Sequence, residues 1–378
     1  ITIKNVPYYG IVSDNIGYIR LSNFTNDAGK EAKEALAELK KQNAESIILD
    51  LRGNPGGLLI ESVNVANLFV DKEQEIVSTH GKVKQWDNVY KTKQSAVDTS
   101  IPLVILVNRG SASASEIVAG SMQDLDRAVI IGEKTFGKGL VQTTRPLSYN
   151  TQLKVTTAKY YIPSGRCIQA VDYAHRNEDG SVGYIPDSLI NEFTTRNGRT
   201  VYDGGGITPD LTLKVESPGN ITVSLFTKYL IFDYATIFAA ENSPVEDPDE
   251  FEFTDNNYQK FLKFLENKSI DYTTRSYKAL EDLIETARKE KYFTGAEEEF
   301  EALKKKLAHD KNKDLLTFKD EIINLLTEEI VSRYDYQEGR IKASLKHDIQ
   351  FNKALEILRD KEKYFSILTN KTKETAGL

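Results

Sequence analysis

The chain has 378 residues, which is more than a single hydrophobic core usually supports, so two domains or one elaborated domain are expected. Its 40% hydrophobic and 28% charged residues are typical of a globular protein, and its formal net charge of -7 gives no electrostatic reason to expect nucleic acid as a partner. The single cysteine, Cys167, excludes an internal disulfide and a cysteine-cluster metal site.

The first 222 residues alternate between strand-like and helical patterns. The predicted strands are 15–24, 45–57 (ending in a Gly/Pro loop), 101–108 and 127–132, and the predicted helices are 27–44, 59–70 and 114–125. The apolar face of the first helix consists of Ala32, Ala35, Leu36 and Leu39. The continuous apolar run 101–108 is typical of a strand covered on both faces. Residues 151–163 alternate and indicate an antiparallel addition, so we predict an α/β core with some parallel pairing.

From about residue 223 the chain is rich in Lys, Glu, Leu and Tyr and has helical periodicity. Apolar faces recur in 277–293, 297–310 and 315–334, after an acidic, proline-containing break at 243–257. We therefore predict a first domain over residues 1–222 and a C-terminal all-helical domain over residues 223–378, whose charged faces are solvated.

Three serines alternate in the stretch VNRGSASASEIVAGSMQD, at Ser111, Ser113 and Ser115. Ser113 precedes Glu116 by three residues, which is a capping-box pattern for a helix start. Taken alone, the stretch favours that structural role, with the other two serines as small residues of a tight turn. The alternative is that one serine is a nucleophile, and a nucleophile needs a base.

Histidine is a poor candidate for that base. His80 and His175 lie in polar surroundings without a recognisable motif, and His309 and His347 lie in the helical tail. A G-x-S-x-G elbow is also missing from the serine stretch, so a histidine triad is not predicted.

Lysine is the alternative base. The stretch GEKTFGKGLVQ places Lys138 between two glycines after an apolar strand. A lysine acts as a base near neutral pH only where burial lowers its pKa from about 10.4. A Ser113–Lys138 pair is therefore one interpretation, and a solvent-facing lysine on a hairpin is the other.

Acyl transfer also needs donors for the developing oxyanion. In DLRGNPGGLL (50–59), the amides of Gly53, Gly56 and Gly57 follow the end of a strand, and the Ala114 amide follows Ser113 at the helix start. An ordinary strand–helix turn would explain the glycines equally well.

Together these segments resemble the C-terminal processing peptidases, tail-specific serine proteases of peptidase family S41 with a Ser–Lys centre. The resemblance covers roughly residues 10–213 and rests on LDLRGNPGG (49–57), VNRGSASASEIVAG (107–120), GEKTFGKGLVQ (132–142), YYIPSGRCIQ (160–169) and GGGITPD (204–210). It implies Ser113 as the nucleophile, Lys138 as the base and Gln142 as the residue that orients the base. If Lys138 begins a strand, Gln142 lies on the same face. The oxyanion donors would be the Ala114 amide and the Gly56 or Gly57 amide, and the core would be of the crotonase/ClpP-like α/β kind.

The resemblance also sets the expected function, a serine-type endopeptidase or tail-specific protease. The expected substrates are proteins or peptides with extended, apolar C-terminal tails, and no cofactor, metal or nucleic acid is expected. Homodimer formation through the helical region is a further expectation. The alternatives are a peptide-binding scaffold that kept the fold with little or no catalysis, and an acyl-CoA enzyme. The Ser113, Lys138 and Gln142 spacing argues against the last.

One feature departs from the family pattern. Members usually carry a PDZ domain just before the strand that matches residues 15–24, and only about fourteen residues precede that strand here. The first residues also lack the pattern of a signal peptide, and no stretch approaches the roughly 20 apolar residues of a membrane span. We interpret the chain as a mature form or a fragment, and expect the periplasmic side of a bacterial cell envelope as its location.

Overall fold

The computed structural model describes residues 3–176, 179, 181–242, 250–270, 272–307 and 310–369. The chain divides into two compact units, of which the first comprises Ile1–Val215 with Asp348–Leu378 and the second comprises Glu216–His347.

The first unit contains the strands and five of the described helices. The strands are β1 (Tyr8–Ser13), β2 (Ile16–Arg20), β3 (Ser46–Asp50), β4 (Glu75–Gly81), β5 (Asn88–Lys91), β6 (Leu103–Val107), β7 (Val129–Gly132), β8 (Leu140–Pro146), β9 (Gln152–Tyr161), β10 (Val171–Arg176), β11 (Val182–Tyr184), β12 (Glu192–Thr194), β13 (Thr200–Tyr202) and β14 (Leu211–Thr212). The helices are α1 (Ala28–Lys41), α2 (Leu59–Ala66), α3 (Ala114–Asp124), α11 (Ile349–Arg359) and α12 (Lys361–Leu368).

A six-stranded sheet forms the centre of this unit, in the order β1-β2-β3-β6-β7-β14. Only β1 and β2 pair antiparallel, and the other four pairings are parallel. Strands β3, β6 and β7 are buried along their whole length, as the continuous apolar runs predict. The predicted α/β core with parallel pairing is therefore confirmed.

A second, antiparallel sheet has the order β5-β4-β9-β8. Strand β9 lies within the segment 151–163 that was predicted as an antiparallel addition, and it pairs with β4 and β8. Strand β8 is at the edge of this sheet among the described residues, and it begins two residues after Lys138.

The helices near the site follow their apolar patterns. In α1 the predicted face of Ala32, Ala35, Leu36 and Leu39 is buried. All eleven residues of α3 are buried, so this helix lies in the interior of the unit rather than along its surface.

The structure groups residues from Asp348 onward with the first unit, whereas the sequence predicted them as part of the helical domain over residues 223–378. The ring of Phe351 packs edge-on against Tyr18 at 5.8 Å between centroids, and the Tyr364 hydroxyl contacts the main chain of Leu103 in β6. These helices bury their apolar faces against the central sheet, which helical periodicity alone cannot reveal.

The second unit is helical in its described residues. Its helices are α4 (Asn220–Thr227), α5 (Leu230–Glu241), α6 (Asp255–Leu265), α7 (Arg275–Lys289), α8 (Glu297–Leu307), α9 (Lys311–Thr317) and α10 (Lys319–Leu345). Its core is rich in aromatic side chains, with Tyr234 packed against Phe253 and Phe261. Residues 243–249 of the predicted acidic break lie outside the described residues.

No single described helix has both the length and the apolar character that a membrane span requires, and α4 with α5 has them only as a pair that is bent by 63°.

Candidate functional site

The three alternating serines have different surroundings. Ser111 and Ser115 are fully buried, and their hydroxyls donate to the carbonyls of Leu51 (2.8 Å) and Asn54 (2.9 Å). Both therefore fasten the glycine loop to the start of α3, a role beyond the small spacers that the sequence indicated. Ser113 is partly exposed and is the only one of the three that solvent reaches.

Ser113 has a strained backbone. It precedes α3 as its N-cap residue with φ 56° and ψ −112°, a region that residues with a side chain rarely occupy. Such strain persists where the surroundings fix it, and it clusters at functional sites. The surroundings here include Gly56, where a Cβ atom would lie 2.8 Å from the Cβ of Ser113 and 2.8 Å from the nitrogen of Ala114.

The structure distinguishes the two glycine amides that the sequence left open. The Gly56 N–H donates to Oδ1 of Asn54 at 2.9 Å, and is therefore occupied. Among the described residues, the N–H groups of Gly57 and Ala114 donate to no acceptor. The arrangement thus favours the Gly57 amide over the Gly56 amide as the second candidate oxyanion donor, beside the Ala114 amide.

Glu116 joins the serine stretch to the lysine stretch. Its carboxyl group is buried, and one oxygen accepts from the Ser113 N–H (2.8 Å) and from the Lys138 N–H (2.9 Å). The other oxygen accepts from the Thr135 hydroxyl (2.6 Å) and from the Gly137 N–H (2.7 Å). Burial raises the pKa of this carboxyl above its usual value, and the hydrogen bonds oppose that shift in part.

The sequence identified Glu116 only as a capping partner, and the structure confirms that its side chain accepts from the Ser113 N–H. The link to the lysine stretch was missed. The available signal was an acidic residue followed directly by the apolar run IVAG, because a buried acid needs partners.

A tyrosine forms a second link between the two stretches. The buried hydroxyl of Tyr160 in β9 contacts the carbonyls of both Ser113 (3.3 Å) and Lys138. The main chains of Ser113 and Lys138 are therefore bridged twice, by a carboxyl group at their amides and by a phenol at their carbonyls. Residue type and spacing gave no signal for Tyr160.

Lys138 and Gln142 share a cavity. This open cavity has a volume of about 630 Å³, and both side chains line it together with apolar residues such as Leu140 and Val171. Lys138 is half-buried and Gln142 is exposed. Ser113 does not line this cavity, and the described hydrogen bonds include none between the side chains of Ser113, Lys138 and Gln142.

Lys138 does not begin a strand, so the condition under which Gln142 was expected on the same face is not met. Strand β8 begins at Leu140, and the register of β8 against β9 shifts between Val141 and Gln142. A β-bulge changes the side on which later residues lie, so the even spacing of Lys138 and Gln142 does not decide their relative orientation.

Two further motifs hold the far end of α3. Arg166, from YYIPSGRCIQ, pairs with Asp124 (2.8 Å) and donates to Gln123 (2.8 Å) at the C-terminus of the helix. Asp210, from GGGITPD, accepts from Gln123 (2.8 Å) and pairs with Arg199 (2.5 Å). The helix that presents Ser113 is thus fixed at both ends.

No group of three or more histidine, cysteine or acidic side chains is placed to hold a metal ion in the part of the chain that the structure describes. The ring of His80 packs edge-on against Tyr161, and His309 lies outside the described residues.

A strained serine at the start of a buried helix, beside a glycine loop and a glycine-flanked lysine, is typical of the serine-peptidase class. Comparison with known proteins finds two family models that match. The model of peptidase family S41 matches residues 15–175, and that of the "probable PDZ-protease, C-terminal helical domain" matches residues 221–358. Residues 15–175 are thus similar to peptidase family S41.

Two curated relatives and one solved structure illustrate the similarity. A carboxyl-terminal-processing protease of Synechocystis sp. is 42% identical over 178 residues, which are 47% of this chain and 38% of the relative. A carboxy-terminal-processing protease of Bartonella bacilliformis is 43% identical over 196 residues, which are 51% of this chain and 42% of the relative. A solved structure, the photosystem II D1 C-terminal processing protease, is 34% identical, with a TM-score of 0.40, and the match covers 53% of this chain and 42% of that one. The chain spans about two fifths of the length of these curated relatives.

Proposed function

We propose that the protein is a serine endopeptidase of the tail-specific type, with Ser113 as nucleophile and Lys138 as general base. Lys138 accepts the Ser113 proton as the serine oxygen attacks a peptide carbonyl, and the amides of Ala114 and Gly57 stabilise the oxyanion. Lys138 then returns the proton to the leaving amine, and water hydrolyses the acyl-enzyme. Gln142 orients Lys138 from within the same cavity.

One observation carries this proposal: the Glu116 carboxyl bonds to the amides of both Ser113 and Lys138. A serine and a lysine that were 25 positions apart in the sequence thereby occupy neighbouring main-chain positions.

The cavity beside Lys138 supports an extended, apolar substrate. Its lining includes the apolar side chains of Phe136, Leu140, Val171 and Ile185. Strand β8 runs from this cavity as a sheet edge, so its main chain can pair with an added strand. We propose that unstructured C-terminal tails bind there.

The test replaces Ser113 and Lys138 separately with alanine and follows cleavage of an unfolded protein. We expect either change to lower kcat by at least about 1,000-fold, since nucleophile and base act as a unit. Matched controls are Ser121→Ala, a buried serine within α3, and Lys134→Ala, an exposed lysine of the same loop, and both should keep activity.

Cleavage that survives Ser113→Ala or Lys138→Ala would contradict the proposal. Tail-peptide binding of equal affinity in the wild type and in Ser113→Ala, without cleavage by either, would instead favour the peptide-binding scaffold.

Three finer features are proposed with this function. The parallel β2-β3-β6-β7 arrangement with its packed helices supports a crotonase/ClpP-like core. A location on the periplasmic side of a bacterial cell envelope and a homodimer formed through the helical region stay predictions from the family resemblance.

A further inference from the structure

Arg52 lies four residues before Gly56, at the start of the glycine loop, and its side chain is held from two directions. From its own strand end, the Asp50 carboxylate accepts from Nη2 at 2.6 Å. From the C-terminal segment, Asp348 pairs with Nη1 at 2.5 Å and Gln350 accepts from the same nitrogen at 3.1 Å. The side chain of Arg52 is only 12% exposed, so these contacts are largely removed from solvent.

Asp348 performs two roles with its two oxygens. Oδ1 accepts from the N–H groups of Gln350 (2.9 Å) and Phe351 (3.0 Å), which caps α11. Oδ2 pairs with Arg52. The Gln350 amide also donates to the carbonyl of Leu213 after β14 (2.8 Å). The start of α11 is therefore fixed at Arg52 and at the end of the sheet together.

Charge balance makes Asp348 hard to replace. The cluster contains two cations, Arg20 and Arg52, and two anions, Asp50 and Asp348. Burial alone would raise the pKa of Asp50, but the charges of Arg52 and Arg20 outweigh it and hold that pKa well below its usual value. Without Asp348 the cluster would carry an uncompensated positive charge, which is costly at this depth.

The loop beyond Arg52 has little conformational preference of its own. Gly53, Gly56 and Gly57 all have positive φ, at 68°, 93° and 153°, and glycine adopts many other conformations as readily. The position of the Gly57 amide therefore depends on anchors on both sides. On the C-terminal side, Gly57 bridges to Phe24. On the N-terminal side, Arg52 is one anchor, beside the hydrogen bonds of Ser111 to Leu51 and of Ser115 to Asn54.

We propose that Asp348 is a positioning residue for the peptidase reaction, which acts through Arg52 on the glycine loop that supplies an oxyanion donor. This inference rests on the proposed function. The C-terminal segment follows the helical unit in the chain, and on this inference it helps to position the catalytic groups of the first unit.

The experiment compares Asp348→Asn with Asp360→Asn. Asparagine retains N-cap ability in both variants. Asp360 caps α12 by accepting from the Lys363 N–H at 2.9 Å, and provides the matched control. For Asp348→Asn we expect kcat to fall by about 10- to 100-fold and KM to stay within about 3-fold of the wild-type value. The reason is that a displaced oxyanion donor weakens binding of the transition state more than binding of the substrate. Asp360→Asn should keep the wild-type kcat.

A conservative rescue separates positioning from a general structural role. Asp348→Glu keeps a carboxylate within reach of Arg52 and leaves Gln350 in place, and should retain most of the wild-type kcat. A kcat in Asp348→Asn equal to that of Asp360→Asn would overturn the proposal, and so would an equal loss of kcat in folded Asp348→Glu and Asp348→Asn.

Amide hydrogen exchange of residues 53–58 supplies a readout that does not need activity. We expect faster exchange there in Asp348→Asn and unchanged exchange in Asp360→Asn. If the wild type cleaves no peptide, the proposed function fails, and the exchange comparison still decides whether Asp348 anchors the loop. Equal exchange in both variants would refute the anchor.

Discussion

At the scale of single residues, the position of Ser113 depends on a neighbour that has no side chain. A Cβ atom at Gly56 would lie 2.5 Å from the carbonyl oxygen of Ala112 and 2.8 Å from the nitrogen of Ala114. Both atoms belong to the main chain, so the conflict cannot be relieved by a rotamer change. The chain around Ser113 would have to move.

Gly56→Ala is therefore expected to lower kcat by at least about 100-fold, and to destabilise the protein by about 2–5 kcal/mol, from backbone strain and overpacking together. Gly53→Ala is the matched control, because Gly53 also has positive φ (68°) while its nearest atom to an added Cβ is 3.9 Å away. It should cost only about 1–2 kcal/mol and keep activity. Kinetics and urea unfolding of both variants test this, and similar kcat values for the two would contradict it.

Single residues also show where sequence reasoning ends. Ser113, Lys138 and Gln142 were identifiable because they stand in ordered motifs. The bridge through Glu116 was not, because its partners at 135–138 are distant in the sequence. The proposal of Gly57 rather than Gly56 as an oxyanion donor rests on one hydrogen bond, from the Gly56 amide to Asn54, that no pattern of residues encodes.

At the scale of elements, long periodic segments were predictable and short ones were not. The helix predicted at 114–125 is α3 at Ala114–Asp124, and the strand predicted at 101–108 is β6 at Leu103–Val107. Three-residue strands such as β12 and β13 were missed, because three residues cannot display a periodicity. Their pairing with each other is what defines them.

Helix α10 of the second unit carries a pH-sensitive element. Burial raises the pKa of Glu328 from 4.5 to about 7, with Arg340 opposing the shift and Glu329 adding to it. The folded pKa lies above the unfolded one, so the stabilisation from this carboxyl is complete below pH 4.5 and is lost as the pH rises through about 7.

Glu328→Gln removes this dependence. Relative to the wild type, the free energy of unfolding of the variant should rise between pH 5 and 8 by up to about 3 kcal/mol, and by less if water reaches the site. Glu338→Gln, at an exposed position of the same helix, is the control. Urea unfolding followed by far-ultraviolet circular dichroism measures the difference. A constant offset across this pH range would contradict the assigned shift.

At the scale of the whole molecule, the chain leaves the first unit after Val215 and re-enters it at Asp348. The sequence could not predict this return, because α11 and α12 show the same helical periodicity as the helices before them. The difference is that α11 and α12 pack against the central sheet of the first unit. The side-chain amide of Gln350 reaches the carbonyl of Leu213 at 2.8 Å, so the points of exit and re-entry lie close together.

That proximity allows the second unit to be removed. In the test variant, a short Gly/Ser linker connects Val215 directly with Asp348. We expect this variant to fold, and to unfold in one cooperative transition. The fluorescence of Trp86, the only tryptophan in the sequence, reports the transition. A chain that ends at Val215 should not fold stably. It would lose the buried apolar side chains Phe351, Ala354, Leu355, Ile357, Leu358, Tyr364 and Leu368. At about 1.5–3 kcal/mol for each large one, the loss is on the order of 10 kcal/mol, comparable with the whole stability of a domain. If both variants melted at the same temperature, residues 348–369 would not be part of the first unit's core.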